Sequence, residues 1–252
     1  MIAQKSAREI RLMKEAGRIV SLVFKTLKSE IKPGMSTLEV DKIARDVIIS
    51  NGGIPTFKDY NGFPGNVCVS VNDTLIHGIG RADEIIKDGD IVTVDVGVTK
   101  DSYIADAART FLIGNVAENA RKLVEVTEES FWHAVNLHAK PGENLSNISH
   151  AIEGYGTKHG YTLTSDFTGH GVGRKLHEPP VIPNVGTPGH GPILKEGMTL
   201  AIEPMLNEGR VELITLKDGW TVKTKDGKLA SHYENTIVIT KDGYEVITMG
   251  EE

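Results

Sequence analysis

One cysteine, Cys68, is all the chain has. No intrachain disulfide can form and no thiolate cluster can hold a metal, so any metal site must be built from carboxylates and imidazoles. A basic excess is missing too. Asp and Glu number 34 against 28 Lys and Arg, for a net charge of −6, which argues against a strong, non-specific grip on nucleic acid and excludes DNA as an expected partner. No apolar run approaches the roughly 20 residues that span a bilayer, and Met1-Ile2-Ala3-Gln4-Lys5 lacks the basic-then-apolar pattern of a secretory signal. With 39% apolar and 25% charged residues in a chain of 252, the expectation is a globular protein of a reducing, cytoplasmic compartment with a large core and no membrane partner.

What the chain does have is a repeat. Lys87-Asp88-Gly89-Asp90-Ile91-Val92-Thr93-Val94-Asp95 lines up with Lys195-Glu196-Gly197-Met198-Thr199-Leu200-Ala201-Ile202-Glu203 at an offset of 108 residues. The same offset pairs Lys32-Pro33-Gly34 with Lys140-Pro141-Gly142, and Gly52 with Gly160. Two related halves, about 5–112 and 113–240, are expected in one domain covering 1–252, with matching acids brought to a pseudo-twofold axis. Carboxylates gathered that way repel unless a cation sits between them.

The pattern along the chain repeats as well. Ser6-Ala7-Arg8-Glu9 is a capping box, followed by Ile10, Met13, Ala16, Val20, Val23 and Leu27 at helical spacing. Ser36-Thr37-Leu38-Glu39 opens a second helix that stops at Asn51-Gly52-Gly53. Strands are expected at 67–71, 91–98 and 103–112. Helices from about 117 to 138 and 145 to 159 follow, then strands near Thr168, at 198–202, 211–216 and 236–239. The block between Glu203 and Ser231 has no partner in the first half and reads as an insertion. Helix pairs feeding an antiparallel-rich sheet, twice over, predict an α/β (α+β) fold with internal pseudo-symmetry.

Asp95 and Asp106 sit in Val94-Asp95-Val96 and Ala105-Asp106-Ala107, while Glu203 follows Leu200-Ala201-Ile202 and Glu234 precedes Asn235-Thr236-Ile237-Val238. Acids are depleted in strands and rarely buried unpaired. Salt bridges are the plain alternative, and Arg109 is close enough in sequence to pair with Asp106. Taken together, with His170 in Thr168-Gly169-His170-Gly171-Val172-Gly173, these acids predict a metal site. Oxygen-rich ligation with one imidazole suits Mn, Fe, Co or Zn. Four carboxylates balance two divalent ions, which activate water for hydrolysis. His77 and His177 lie in contexts from which a neutral imidazole could hydrogen-bond a leaving group or an oxyanion. His232, near Glu234, is a minor candidate.

With these residues in this order, the chain resembles a type I methionine aminopeptidase of the bacterial kind. The matching segments are Ser70-Val71-Asn72 with His77-Gly78, Gly89-Asp90-Ile91-Val92 to Asp95, Ala105-Asp106, Gly169-His170-Gly171-Val172-Gly173, His177-Glu178, Gly197 to Pro204, and Glu234-Asn235-Thr236. The resemblance implies the pseudo-symmetric pita-bread fold. It implies that Asp95, Asp106, His170, Glu203 and Glu234 hold two divalent metal ions (Co, Mn, Fe or Zn), that Glu203 is also the general base, and that His77 and His177 contact the scissile peptide. Asp95 would help hold the α-amino group. The methionine pocket would be lined by Tyr60, Phe63, Cys68 and Trp220. Substrates would be nascent polypeptides and Met-starting peptides with a small second residue, met by a monomer in the cytoplasm, with the ribosome as a further partner. Phe63, Leu176 and Gly80 depart from the residues common in bacterial relatives. A proline-directed aminopeptidase of the same fold is the alternative, set aside because the first family helix starts near Ser6 and leaves no room for an extra N-terminal domain. Only 30 residues separate Glu203 from Glu234, which leaves no room for the type II insertion. A non-catalytic binding protein on this fold is the alternative from another class.

Overall fold

The predicted capping box at Ser6 closes, and the helix start expected at Ser36 turns out to be a second one. The Ser6 backbone N–H donates to Glu9 Oε2 at 2.8 Å and the Glu9 N–H to Ser6 Oγ at 3.4 Å; Ser36 and Glu39 repeat the exchange at 2.7 and 3.2 Å. Each satisfies two of the donors a helix start leaves free, worth about 1 kcal/mol per cap. The helices they start are α1 (Ala7–Glu30) and α2 (Thr37–Ser50). The computed structural model describes residues 2–249.

The chain continues through β1 (Ile54–Pro55), β2 (Cys68–Val71), β3 (Thr74–Ile76), β4 (Ile91–Lys100) and β5 (Tyr103–Leu112). After α3 (Glu118–His138) and α4 (Leu145–Lys158) come β6 (Thr168–Gly171), β7 (Glu178–Pro183) and β8 (Thr199–Ile202). The last strands are β9 (Met205–Asn207), β10 (Leu213–Thr215), β11 (Val222–Thr224), β12 (Ala230–His232), β13 (Asn235–Ile239) and β14 (Tyr244–Val246). The starts of α2 and α4, and of β4 and β8, are separated by the same 108 residues as the sequence repeat.

β4 and β5 form a long hairpin in register from Ile91↔Leu112 to Lys100↔Tyr103. Its two-residue turn, Asp101-Ser102, has both φ angles positive (48° and 66°), the geometry whose twist matches antiparallel strands. With β1 and β2 flanking β4, this is the first sheet. The second runs β14-β13-β8-β6-β7. The two are joined where β5 meets the start of β13. Glu234 N–H donates to Ala108 O at 3.0 Å and Ala108 N–H to Glu234 O at 3.3 Å. Thr236 Oγ1 donates to Asp106 O and accepts from Asp106 N–H.

Each helix pair covers its own sheet. Met13, Val20, Val23 and Leu27 of α1 and Val40, Ala44 and Ile48 of α2 pack on Val92, Val94, Val96 and Val98. Leu123, Phe131 and Val135 of α3 with Ile148 and Ile152 of α4 pack on Leu200, Ile202 and Ile237. Each of these side chains other than Ala44 contributes roughly 1.5–3 kcal/mol of apolar burial. The expected insertion folds as strands. The hairpin of β10 and β11 pairs with β3, and β9 pairs with β12, over a small separate core of Leu75, Ile76, Met205, Val222 and Ala230. The predicted 211–216 strand is shorter than expected, at Leu213–Thr215.

Candidate metal centre

The four acids converge on the seam between the sheets. Asp95 is in the middle of β4, not at a strand end, opposite Cys68 of β2 and Ala108 of β5. Asp106 stands across from Gly97 on the same hairpin. His170, on β6, is opposite Ala201 of β8. Glu203 follows the end of β8, and Glu234 lies between β12 and β13. His170 Nε2 is 3.7 Å from both Asp106 Oδ2 and Glu203 Oε1. Ligand atoms of Asp106, His170 and Glu234 all lie within 4.8 Å of one another, and so do those of Glu203, His232 and Glu234.

Asp95 Oδ1, Asp106 Oδ1 and Glu234 Oε1 are buried without a hydrogen-bond partner. Among the described residues no Lys or Arg pairs with these acids; only His170 and His232 approach them as basic groups. Arg109 does not pair with Asp106. Its guanidinium donates to the Glu234 backbone carbonyl at 2.5 Å and to Asn235 Oδ1 at 2.6 Å, stacked between Phe24 and Tyr233. The salt-bridge alternative therefore fails on geometry.

Burial raises every one of these carboxyls. Asp95 moves from 3.8 to about 7. Asp106, Glu203 and Glu234 are pushed well up, by desolvation first and by one another's charge second. An array of buried carboxylates with orphaned oxygens is costly unless a cation compensates it. This donor set fits divalent metal ions, and carboxylate with imidazole is the chemistry that binds Mn, Fe, Co or Zn. The His170 ring is prepared for the same role. Its Nδ1 donates to Gly171 O at 2.9 Å, which leaves the Nε2 lone pair facing the acids. Burial lowers its pKa to about 4, so the ring is neutral at pH 7.

Gly169 makes this approach feasible: a Cβ there would lie 2.4 Å from Ala201 O. His232, only a minor candidate by sequence, is buried within the cluster. Its Nε2 is 3.6 Å from Glu203 Oε2 and 3.8 Å from Glu234 Oε2, and neither ring nitrogen has a partner. The spacing His232-x-Glu234 was its only sequence signal.

All eleven residues expected from the sequence line one cavity of about 170 Å³ above the acids. Phe57, Asn61 and Leu176 complete its wall. Phe63 and Trp220 meet edge to face, with ring centroids 5.2 Å apart. The loop before β2 is fixed by buried Asp41, whose carboxylate accepts from Asn66 N–H, Asn66 Nδ2 and Val67 N–H at 2.7, 2.6 and 3.1 Å. His77 takes a left-handed backbone conformation, φ 57°. The next residue must be glycine, since a Cβ on Gly78 would sit 2.1 Å from Val69 O. Burial lowers the His77 pKa to about 4. His177 packs edge-on against His170, centroids 4.4 Å apart, and its Nδ1 lies 2.9 Å from Tyr60 Oη. A larger cleft of about 640 Å³ runs between α1 and the end of β5 and contains none of the carboxylates.

The chain matches the profile of metallopeptidase family M24 over residues 11–241. It is 50% identical to methionine aminopeptidase 1 of Bacillus subtilis over 248 residues, which are 98% of this chain and 99% of that protein. The crystal structure of methionine aminopeptidase from Thermotoga maritima superimposes with a TM-score of 0.97 at 41% identity, covering 99% of this chain and 100% of the other. Prolidase from Pyrococcus furiosus superimposes at a TM-score of 0.78 with 25% identity, but the match takes in only 66% of that larger chain.

Proposed function

Because this chain belongs to metallopeptidase family M24, we propose that it is a methionine aminopeptidase, a metal-dependent hydrolase that releases the N-terminal methionine of peptides and nascent chains when the next residue is small. The observation that carries the reading is the cluster of orphaned carboxylates with His170, set in one cavity whose remaining wall includes Phe57, Phe63, Leu176 and Trp220. Full-length likeness to enzymes named methionine aminopeptidase supports it. The whole chain is read as one catalytic domain of two related halves.

Asp95, Asp106, His170, Glu203 and Glu234 would hold two divalent ions. Such ions polarise a carbonyl and activate water for attack at neutral pH. The remaining work falls to side chains. Phe63, Cys68 and Trp220, with Tyr60, enclose the space for an unbranched thioether, which packs well against ring edges. Asp95, which lines the cavity, would help hold the substrate's free amino group, which limits the enzyme to chain ends. Glu203 takes the proton of the attacking water and passes it to the leaving amide nitrogen as the C–N bond breaks. His77 and His177, both with lowered pKa values and so neutral at pH 7, hydrogen-bond the peptide and steady the developing oxyanion.

Among the described residues no helix is long and apolar enough to cross a membrane. The protein is read as a cytoplasmic monomer that meets chains leaving the ribosome. The direct test is methionine release from Met-Ala-Ser by metal-stripped protein titrated with Mn, Co, Fe or Zn, with an Xaa-Pro peptide beside it. Metal-dependent release of Met from the first peptide alone is expected. Cleavage of the Xaa-Pro peptide instead would move the protein to the prolidase side of the family, and no cleavage with metals bound would leave a binding protein.

A further inference from the structure

The segment ahead of α1 lies against the outside of the loop that carries His177. Lys5 Nζ donates to Glu178 Oε2 at 2.7 Å, with the two side chains only 7% and 16% exposed. The other oxygen of the same carboxylate, Oε1, accepts from the backbone N–H groups of Arg174 and Lys175 at 2.9 and 3.2 Å. The Lys5 backbone N–H donates to Gly197 O at 2.6 Å. Two glycines admit this segment. A Cβ on Gly173 would stand 2.5 Å from Lys5 Cε and 2.7 Å from Glu178 Oε1, and one on Gly197 would stand 2.8 Å from Lys5 O.

A second tie runs parallel to the first. The Arg174 guanidinium sits over the Tyr103 ring at 4.7 Å, and Tyr103 Oη donates to Glu9 Oε1 at 2.9 Å, in the capping box of α1. The loop 173–178 is therefore clamped from outside at both ends, and between the clamps it presents Leu176 and His177 to the cavity. A nearly buried Lys–Glu pair is a poor source of net stability, because desolvation offsets most of its attraction. Its effect is geometric: with both carboxylate oxygens engaged, Glu178 holds the backbone beside His177 in one arrangement.

We propose that Lys5 is a positioning residue for His177: its ammonium fixes Glu178, and Glu178 fixes the loop that aims the His177 imidazole into the substrate cavity. The inference rests on the reading of His177 as a residue that contacts substrate.

The test is a double-mutant cycle on metal-loaded protein, with methionine release from Met-Ala-Ser, metal content and Tm measured for each variant. Lys5→Ala and Lys5→Met should each lower kcat about tenfold, a fraction of the ~10²-fold that a 1 Å misplacement can cost, with metal content unchanged. Lys5→Met retains the aliphatic stem, so it separates loss of the charge from loss of packing. Lys5→Arg, which can still donate to Glu178, should recover most of the rate. In a His177→Ala background, Lys5→Ala should change the rate by no more than about twofold, because independent sites would multiply their effects. Multiplicative losses, a normal rate in Lys5→Ala, or loss of metal from it would each overturn the proposal. If His177→Ala alone left turnover intact, the reading of His177 would fall and the proposal with it. A damaging His177→Ala with multiplicative Lys5→Ala would sink only the link.

Discussion

Tyr60 Oη lies 2.9 Å from His177 Nδ1, a contact across 117 residues of chain between the loop before β2 and the loop before β7. When the phenol donates to Nδ1, the ring proton is placed on Nε2. Tyr60→Phe removes that choice of tautomer without emptying the cavity wall. kcat/KM should fall about 3- to 10-fold, in line with about 1 kcal/mol for one hydrogen bond, with metal content unchanged. Steady-state kinetics on Met-Ala-Ser decides it; an unaltered rate would show that the tautomer is set elsewhere.

Metal-stripped protein should be acid-preferring. Asp95 titrates at about 7 in the folded chain against 3.8 for the free side chain, because burial disfavours its charge. A raised acid pKa means the folded state binds the proton more tightly. Its contribution to stability is complete below about pH 4 and is lost as pH rises through 7; Asp106, Glu203 and Glu234 shift the same way. Buried His77, His170 and His232, with pKa values lowered from 6.5, act the other way below that pH, so the Tm of chelator-treated protein should fall from about pH 6.5 to 8. Added Mn should raise it more at pH 8 than at pH 5, where protons compete for the same oxygens. A Tm gain independent of pH would contradict the carboxylate-array picture.

Glu203→Gln separates function from stability. Turnover should vanish, with kcat down at least ~10²-fold, while the metal-free variant should melt higher than metal-free wild type at pH 8, because an amide escapes the cost that burial sets on the Glu203 carboxyl at that pH. Calorimetry on both metal-free proteins checks the second half. A lower melting point would mean the side chain is needed for packing.

His77→Ala should lower kcat by roughly 10²- to 10³-fold, the range for losing one donor to an oxyanion. Metal content should be untouched, because His77 lines the cavity outside both clusters of ligand atoms. Elemental analysis beside the kinetics would expose the alternative, a loss of metal in proportion to the loss of rate.

Gly169→Ala puts a methyl group 2.4 Å from Ala201 O and 3.3 Å from Ile182 Cβ, so β6 must move away from β8 and take His170 with it. The cost should exceed about 2 kcal/mol, as for other backbone clashes in cores. Weaker metal binding should accompany it. Urea unfolding and a metal titration would show the two effects together; a stable variant with ordinary affinity would mean the sheet yields elsewhere.

The sequence made the helices legible because their signals are local. Ser6 and Ser36 with their glutamates mark starts to the residue, and Gly34, Gly52 and Gly142 mark stops. The strands at 91–98 and 103–112 were legible too, since an alternation as long as Val92, Val94, Val96 and Val98 survives in any context. Short strands such as β3, β9, β11 and β12 were not. Three residues carry almost no period, and they pair only because the 203–232 block folds back on β3. The acids stood out by contrast with their apolar neighbours, whereas His232 did not. What singles it out is a distance to Glu203, set by the pairing of β12 with β9, together with two unpartnered nitrogens. Arg109 misled for a related reason. Being three residues from Asp106 put it on the other face of β5, where it serves the Glu234 backbone.

Asp106 and Glu234 stand diagonally across the hydrogen bonds that join two separate sheets, Asp106 to Thr236 and Glu234 to Ala108. Neither sheet carries a complete set of donors. Cut between α2's sheet and α3, the chain would yield two pieces that each retain a helix-covered surface but cannot bind metal as the intact protein does. Recovery of metal affinity on mixing such pieces would then report docking of the seam itself, so the catalytic centre doubles as a built-in gauge of whether the molecule is whole.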